Sequence, residues 1–363
     1  MGFFELVITL YIGGMTYLAN LADVQPFISQ SAIDAPHSAN TTYATITRRM
    51  LYGLVAMLVL FGLFAVQILA FNLPTESLDE LGINREIITP LNLFALVAIV
   101  VITGAICFML ISSENARQKV KRLTGSHSRY NPQSYVHLVA MVLALCLIGY
   151  LLINFVIAGG LQGVAEAIEE NGLNLLTLIF QGVMFVIIAL LGVGLLIRRT
   201  PKETAQRLGL TLPSPQHIII GTIAGFIMIA LATALTQIWI ALVTPEQYAQ
   251  QTSAAAEISS QIISVQTIFV LSLSAAVSEE ILFRGAIQPV FGLPLTTLFF
   301  VSFHDQYTFS PAMLIILSVG LVLALLRRYQ STTSAIIAHF IYNFVPAVIV
   351  IAWPQAAHIL GLL

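Results

Sequence analysis

The sequence predicts an all-α fold, a polytopic transmembrane helix bundle of about nine or ten spans, and three observations carry that expectation. Hydrophobic residues make up 58% of the 363 residues and charged residues only 9%, against roughly 25% charged in ordinary soluble domains. The apolar residues are gathered into runs of about 20, the length that crosses a hydrocarbon core as a helix. The Lys and Arg residues are confined to alternate connections between those runs.

Taken in order, a short apolar run at 3–18 either spans or lies at the interface, and a polar Ser/Thr/Asn segment at 19–47 follows. Spans are expected at 50–71, 91–111, 135–158, 175–197 and 217–243. Further runs lie at 262–287, 293–304 (shorter), 312–326 and 334–353. Cys107 and Cys146 fall inside apolar runs and are read as free, buried thiols, because neither their number nor their spacing indicates a disulfide framework or a zinc knuckle. No cleavable signal peptide is expected, since Glu5 stands where a signal would carry Lys or Arg, and the myristoylation pattern is not met.

Of the 15 Lys and Arg residues, all but Arg85 fall on one side of a strictly alternating topology. Arg48, Arg49, the 117–129 cluster, the 198–207 cluster and Arg327–Arg328 alternate with acidic loops holding Glu76, Asp79, Glu80, Glu86, Glu166, Glu169, Glu170, Glu246 and Glu257. The positive-inside rule places the basic loops in the cytoplasm. The expected location is an integral, multi-pass position in the cell membrane of a prokaryote. The net charge of −2 points to no partner, and no nucleic-acid partner is expected. Oligomeric state is not readable.

Segment 200–216, with Pro201, Pro213 and Pro215 around Arg207-Leu208-Gly209-Leu210, reads as a cytoplasmic connector. It divides an N-terminal helical region, 1–199, from a C-terminal one, 217–355. Ionisable residues inside spans are concentrated after it. Glu279, Glu280 and Arg284 stand at the end of an apolar run, where insertion scales set a cost of roughly 2.5–3.5 kcal/mol for each ionised side chain at mid-depth. Glu280 and Arg284 are four apart and share a helical face, which leaves Glu279 without a partner in its own helix. Phe300 precedes His304 by one turn, and His339 and Asn343 share a face on a later helix.

Singly, each of these is more simply a structural helix pair or a hydrogen-bonded core histidine. Together, on successive helices, they assemble a carboxylate, two imidazoles and a carboxamide, groups suited to hydrolysis. No Ser or Cys stands with a base in a nucleophile pattern and H-E-x-x-H is absent, so water is the expected nucleophile. The ligand types would also suit a metal, although the spacing matches no standard zinc arrangement.

Glu279-Glu280-x-x-x-Arg284, Phe300-x-x-x-His304 and His339-x-x-x-Asn343, in that order, resemble the CPBP (CAAX protease and bacteriocin-processing) family of intramembrane endopeptidases, which includes Rce1-type CAAX prenyl proteases. The resemblance covers about 215–353, the Arg207-Leu208-Gly209-Leu210 connector also resembles the segment that often precedes the domain, and the first half of the chain resembles no named family. It implies that Glu279 is the general base activating water, assisted by His304. It implies that His339 and Asn343 form the oxyanion site, and that Glu280, Arg284 and Phe300 support them. No obligatory metal is expected; a divalent ion such as zinc, held by Glu279, His304 and His339, is the alternative. The implied partner is a membrane-embedded or membrane-associated peptide or protein substrate.

Two other functions compete, a non-catalytic binding or immunity factor of the same fold and a proton-coupled transporter using the buried Glu and His as a relay. The absence of internal repeats counts against transport. Asp305 either orients the His304 ring or marks a helix end. Because the 293–304 run is only about 18 Å long at 1.5 Å per residue, His304 meets Glu279 only if the preceding helix runs on toward Pro289 and the chain then turns back inside the bundle. That geometry predicts a common depth for Glu279, His304, His339 and Asn343.

Overall fold

The computed structural model describes residues 3–29, 38–70, 88–124, 128–172, 174–262 and 264–353. Among these the chain is helical throughout, with no strand. In order the helices are α1 (Phe3–Ser29), α2 (Ser38–Ala70), α3 (Pro90–Ser112), α4 (Glu114–Thr124), α5 (Tyr135–Ala158), α6 (Leu161–Asn171) and α7 (Leu175–Val193). Then come α8 (Pro201–Leu208), α9 (Pro215–Leu242), α10 (Pro245–Ser260) and α11 (Val265–Glu279). A π-helical segment, Glu280–Ile287, joins α11 to α12 (Gln288–Ser302), and α13 (Ala312–Tyr329) and α14 (Thr332–Ala352) complete the bundle. Among the described residues, nine segments are long and apolar enough to cross a membrane, and the protein is an integral multi-pass membrane protein.

The helix starts are written locally. Thr89, Thr200, Ser214 and Thr244 each precede a proline, and each accepts a hydrogen bond from a backbone N–H three residues on. Proline at the first helical position gives up an N–H that has no partner there anyway, and the hydroxyl satisfies another. Between their caps the long helices are apolar on every side. Leu91, Phe94 and Val101 of α3 stay exposed, as expected where the surrounding solvent is lipid.

One part of the sequence reading is corrected. The run at 3–18 is no short fragment: α1 continues to Ser29, so much of the segment taken as a polar connection is helix. Its polar residues bind neighbouring helices. The Asn20 amide donates to the Leu191 carbonyl at 2.8 Å. Asp23 accepts from the Ser134 hydroxyl and the Tyr135 amide, at 2.6 and 2.8 Å, and so caps α5. The runs expected at 262–287 and 293–304 are present, the first continuing as helix to Phe291 and the second beginning after a break at Gly292. The expected buried thiols are present, with the Cys107 and Cys146 sulfurs 4.0 Å apart.

The basic connections gather at one end of the bundle. The Arg129 amide donates to the Pro289 carbonyl, the Arg207 guanidinium to the carbonyls of Gly285 and Ala286, and Arg327 to that of Arg284. At the other end α6 and α10, which hold Glu166, Glu169, Glu170, Glu246 and Glu257, pack together, and Gln261 donates to the Ile168 carbonyl. Glu76, Asp79, Glu80, Arg85 and Glu86 lie outside the described residues.

The turn back inside the bundle is made at Gly292. Its φ of 79° and ψ of 169° break the helix, a conformation that glycine alone adopts at little steric cost, and Pro294 begins the return arm. The arms run antiparallel, with Phe283 packed against Phe300 and Phe303, and Phe291 against Phe299.

The helix opposite this hairpin is set by small residues. Gly221 and Gly225 on α9 let α14 approach so closely that a Cβ at Gly225 would stand 2.7 Å from the Ile341 side chain and 3.0 Å from the Ala338 carbonyl. Gly225→Ala is therefore expected to lose about 1–3 kcal/mol through overpacking, measured as an earlier thermal transition in detergent. Gly14→Ala, where an added methyl group meets nothing within 4 Å, should melt with the wild type. Equal melting of both variants would show that the α9–α14 contact is not tight.

Candidate active site

The site is built on the π-helical segment. A π turn is usually found where a functional side chain must be re-aimed, and here it begins at Glu280. Glu280 and Arg284 are fully buried, and Glu280 Oε2 lies 3.3 Å from Arg284 Nε. The expected i, i+4 pair therefore forms. Neither of those two atoms makes a hydrogen bond, so the contact is an ion pair whose N–H points off-line. The Arg284 guanidinium donates instead to the Gly320 carbonyl at 3.2 Å and sits 4.2 Å from the centre of the Phe300 ring.

From α14, His339 reaches Glu280 with Nδ1 3.0 Å from Oε1. A carboxylate accepts, so Nδ1 donates and Nε2 is left for other partners. This link across 59 residues joins the first and third sequence clusters, and helical spacing alone gives no sign of it. It places the buried Glu280 between a guanidinium and an imidazole.

His304 is treated in the same way by its own helix end. Its Nδ1 donates to the Phe300 carbonyl at 2.8 Å, which again leaves Nε2 free as an acceptor. Phe300 is the common wall. Its ring centre lies 4.6 Å from that of His304 and 6.2 Å from that of His339. The two imidazoles and Arg284 thus border one phenyl ring. Asp305 does not hold the His304 ring. It opens a 3₁₀ turn, Asp305–Tyr307, after α12 ends at Ser302, and burial raises its carboxyl above the ordinary range.

Glu279, the last residue of α11, is half-buried. Its Oε2 is buried and has no hydrogen-bond partner. A carboxylate oxygen in that state costs free energy unless it meets something mobile, such as water or substrate. Asn343 lies one turn beyond His339, half-buried, with its carboxamide unpartnered among the described residues.

A metal would need at least three convergent ligands. Among the described residues, no three His, Cys, Asp or Glu side chains are grouped to hold one, although each histidine keeps Nε2 open, its Nδ1 being committed to Glu280 or to the Phe300 carbonyl.

Two features of the site are missing from the sequence reading. One is the Glu280–His339 hydrogen bond. The other is the glycine pair Gly221 and Gly225, whose small-x-x-x-small spacing was a readable sign of close helix packing and which fixes the helix that carries His339.

Residues 261–345 match the family model described as type II CAAX prenyl endopeptidase Rce1-like. The match covers all three motifs and lies within the C-terminal half. No curated protein and no solved structure matches the chain. The matched segment is similar to that family, and the resemblance carried by the three motifs agrees with the match.

Proposed function

We propose that this chain, whose segment 261–345 is Rce1-like, is an intramembrane endopeptidase that hydrolyses a peptide bond near the end of the bundle carrying the basic loops, and that this end is cytoplasmic. The observation that carries the reading is the unpartnered, buried Glu279 carboxylate oxygen beside the Glu280–His339 pair.

In this reading Glu279 takes a proton from water while the free Nε2 of His304 orients that water. The resulting hydroxide attacks the scissile carbonyl carbon, a C–O bond forms, and the carbonyl oxygen gains negative charge. Asn343, through its amide, and His339, through Nε2 when doubly protonated beside Glu280, donate to that oxyanion. The C–N bond then breaks and the proton held by Glu279 passes to the departing amine. Glu280 and Arg284 touch no substrate; they hold His339 in place. The substrate is a membrane-associated peptide or protein.

The test is cleavage of a peptide library by purified protein in liposomes, with and without a strong chelator, beside Glu279→Gln. Cleavage that survives chelation and disappears in the variant supports water activation by the carboxylate. Cleavage abolished by chelation and restored by zinc would assign the water to a metal instead. Transport of a proton-coupled solute without any cleavage would favour the relay reading.

A further inference from the structure

The motif segment has a second face, and it borders a cavity of about 630 Å³, within the roughly 300–1,000 Å³ range of small-ligand pockets. This cavity is not the catalytic one. Its walls include Leu282, Ala286, Val290 and Phe303 of the hairpin, but none of Glu279, Glu280, His304, His339 or Asn343. The opposite wall comes from the N-terminal region, with Leu143 and Leu147 of α5 and Phe185 and Ile188 of α7.

The two ends of the cavity differ in chemistry. The bore is aliphatic and aromatic. The mouth, at the basic end of the bundle, is lined by Arg129, Arg198, Arg199 and Arg207 and by one carboxylate, Asp23; Glu203, outside the lining, also acts on Arg199, and Arg198 and Arg199 each donate to a carbonyl, of Gly192 and Val193. Asp23 is already engaged with α5 and stands 3.9 Å from Arg198. The Arg129 guanidinium has no partner among the described residues. Burial, and after it the neighbouring arginines, lowers Arg207 to about 10. Like charges held together beside a greasy bore need a counter-anion, and one carrying a hydrocarbon chain would satisfy both ends.

We infer that this cavity binds an anionic amphiphile, with a phosphate head among Arg129, Arg198, Arg199 and Arg207 and one apolar chain in the bore between α5, α7 and the hairpin. The site gives the N-terminal region a role. Because Arg207 also donates to the Gly285 and Ala286 carbonyls, an occupant would brace the motif segment from behind. The inference does not depend on the hydrolytic reading, since it concerns binding on the other face.

The experiment compares ligands and variants of the full chain in neutral detergent, by native mass spectrometry and thermal shift. The probes are dodecyl phosphate, inorganic phosphate, phosphatidylglycerol and phosphatidylcholine. The variants are Arg129→Gln/Arg198→Gln at the mouth and Ala140→Phe in the bore. Dodecyl phosphate should bind the wild type and raise its melting temperature, with at least tenfold weaker binding in each variant. If phosphatidylglycerol competes and phosphatidylcholine does not, the occupant is a bilayer lipid; if neither competes, it is a single-chain phosphate. Either result supports the site. Equal binding of inorganic phosphate would reduce the mouth to an ion site and overturn the inference. So would binding left unchanged by Ala140→Phe, which would indicate charge attraction at the surface.

Discussion

If Glu279 is the general base proposed above, Glu279→Gln is expected to lower the rate of peptide hydrolysis by about 10²–10⁴-fold, the range for loss of a general base, and to leave the protein folded. The second half of that expectation rests on what Glu279 lacks. Among the described residues it makes no ion pair within 4.0 Å, although Arg284 feels its charge, and its buried Oε2 has no hydrogen bond to lose. Glutamine keeps the volume and removes only the basic oxygen, and because Arg284 keeps Glu280 as its closer partner the melting temperature should change little. Single-turnover cleavage in liposomes, read with thermal melting of the same preparations, separates the two effects. A variant that melts with the wild type and hydrolyses at the wild-type rate would remove Glu279 from the chemistry.

The division between Glu279 and Glu280 was partly legible in the sequence, because i, i+4 spacing pairs Glu280 with Arg284 and leaves its neighbour alone. The hairpin was legible through a length argument, since an arm of about 18 Å running straight out from the basic end would carry His304 well past mid-membrane unless the chain turned back inside the bundle. Its hinge at Gly292, followed by Pro294, has the residue types of a helix break. What stayed hidden depends on tertiary placement. Nothing in the separation of 59 residues says that His339 Nδ1 takes Glu280 rather than water. A π turn preserves the Glu280–Arg284 contact while shifting the helical phase of α12, and sequence periodicity assumes α geometry throughout. The polar residues of α1 misled for the opposite reason. Asn20 and Asp23 read as solvent-seeking, but they satisfy a helix carbonyl and a helix N-terminus inside the bundle.

Arg284→Met is expected to be the most damaging single change to stability, at about 3–5 kcal/mol, because it strands a buried charge. Glu280 and Arg284 have no exposed surface, so water cannot replace the lost guanidinium. His339 alone would then face the carboxylate, and the Gly320 carbonyl and the Phe300 ring would lose their cationic neighbour. The double variant Glu280→Gln/Arg284→Met removes both charges and should recover much of the loss, since a buried pair replaced as a unit is often close to neutral. Denaturation in detergent of the two singles and the double closes the cycle. A positive coupling of several kcal/mol in stability, with hydrolysis still impaired in the double, would show that the pair serves His339 as well as the fold. If Arg284→Met melts with the wild type, the ion pair does not hold this segment, and the order of the site has to come from the Gly292 hinge and the packing around Phe300.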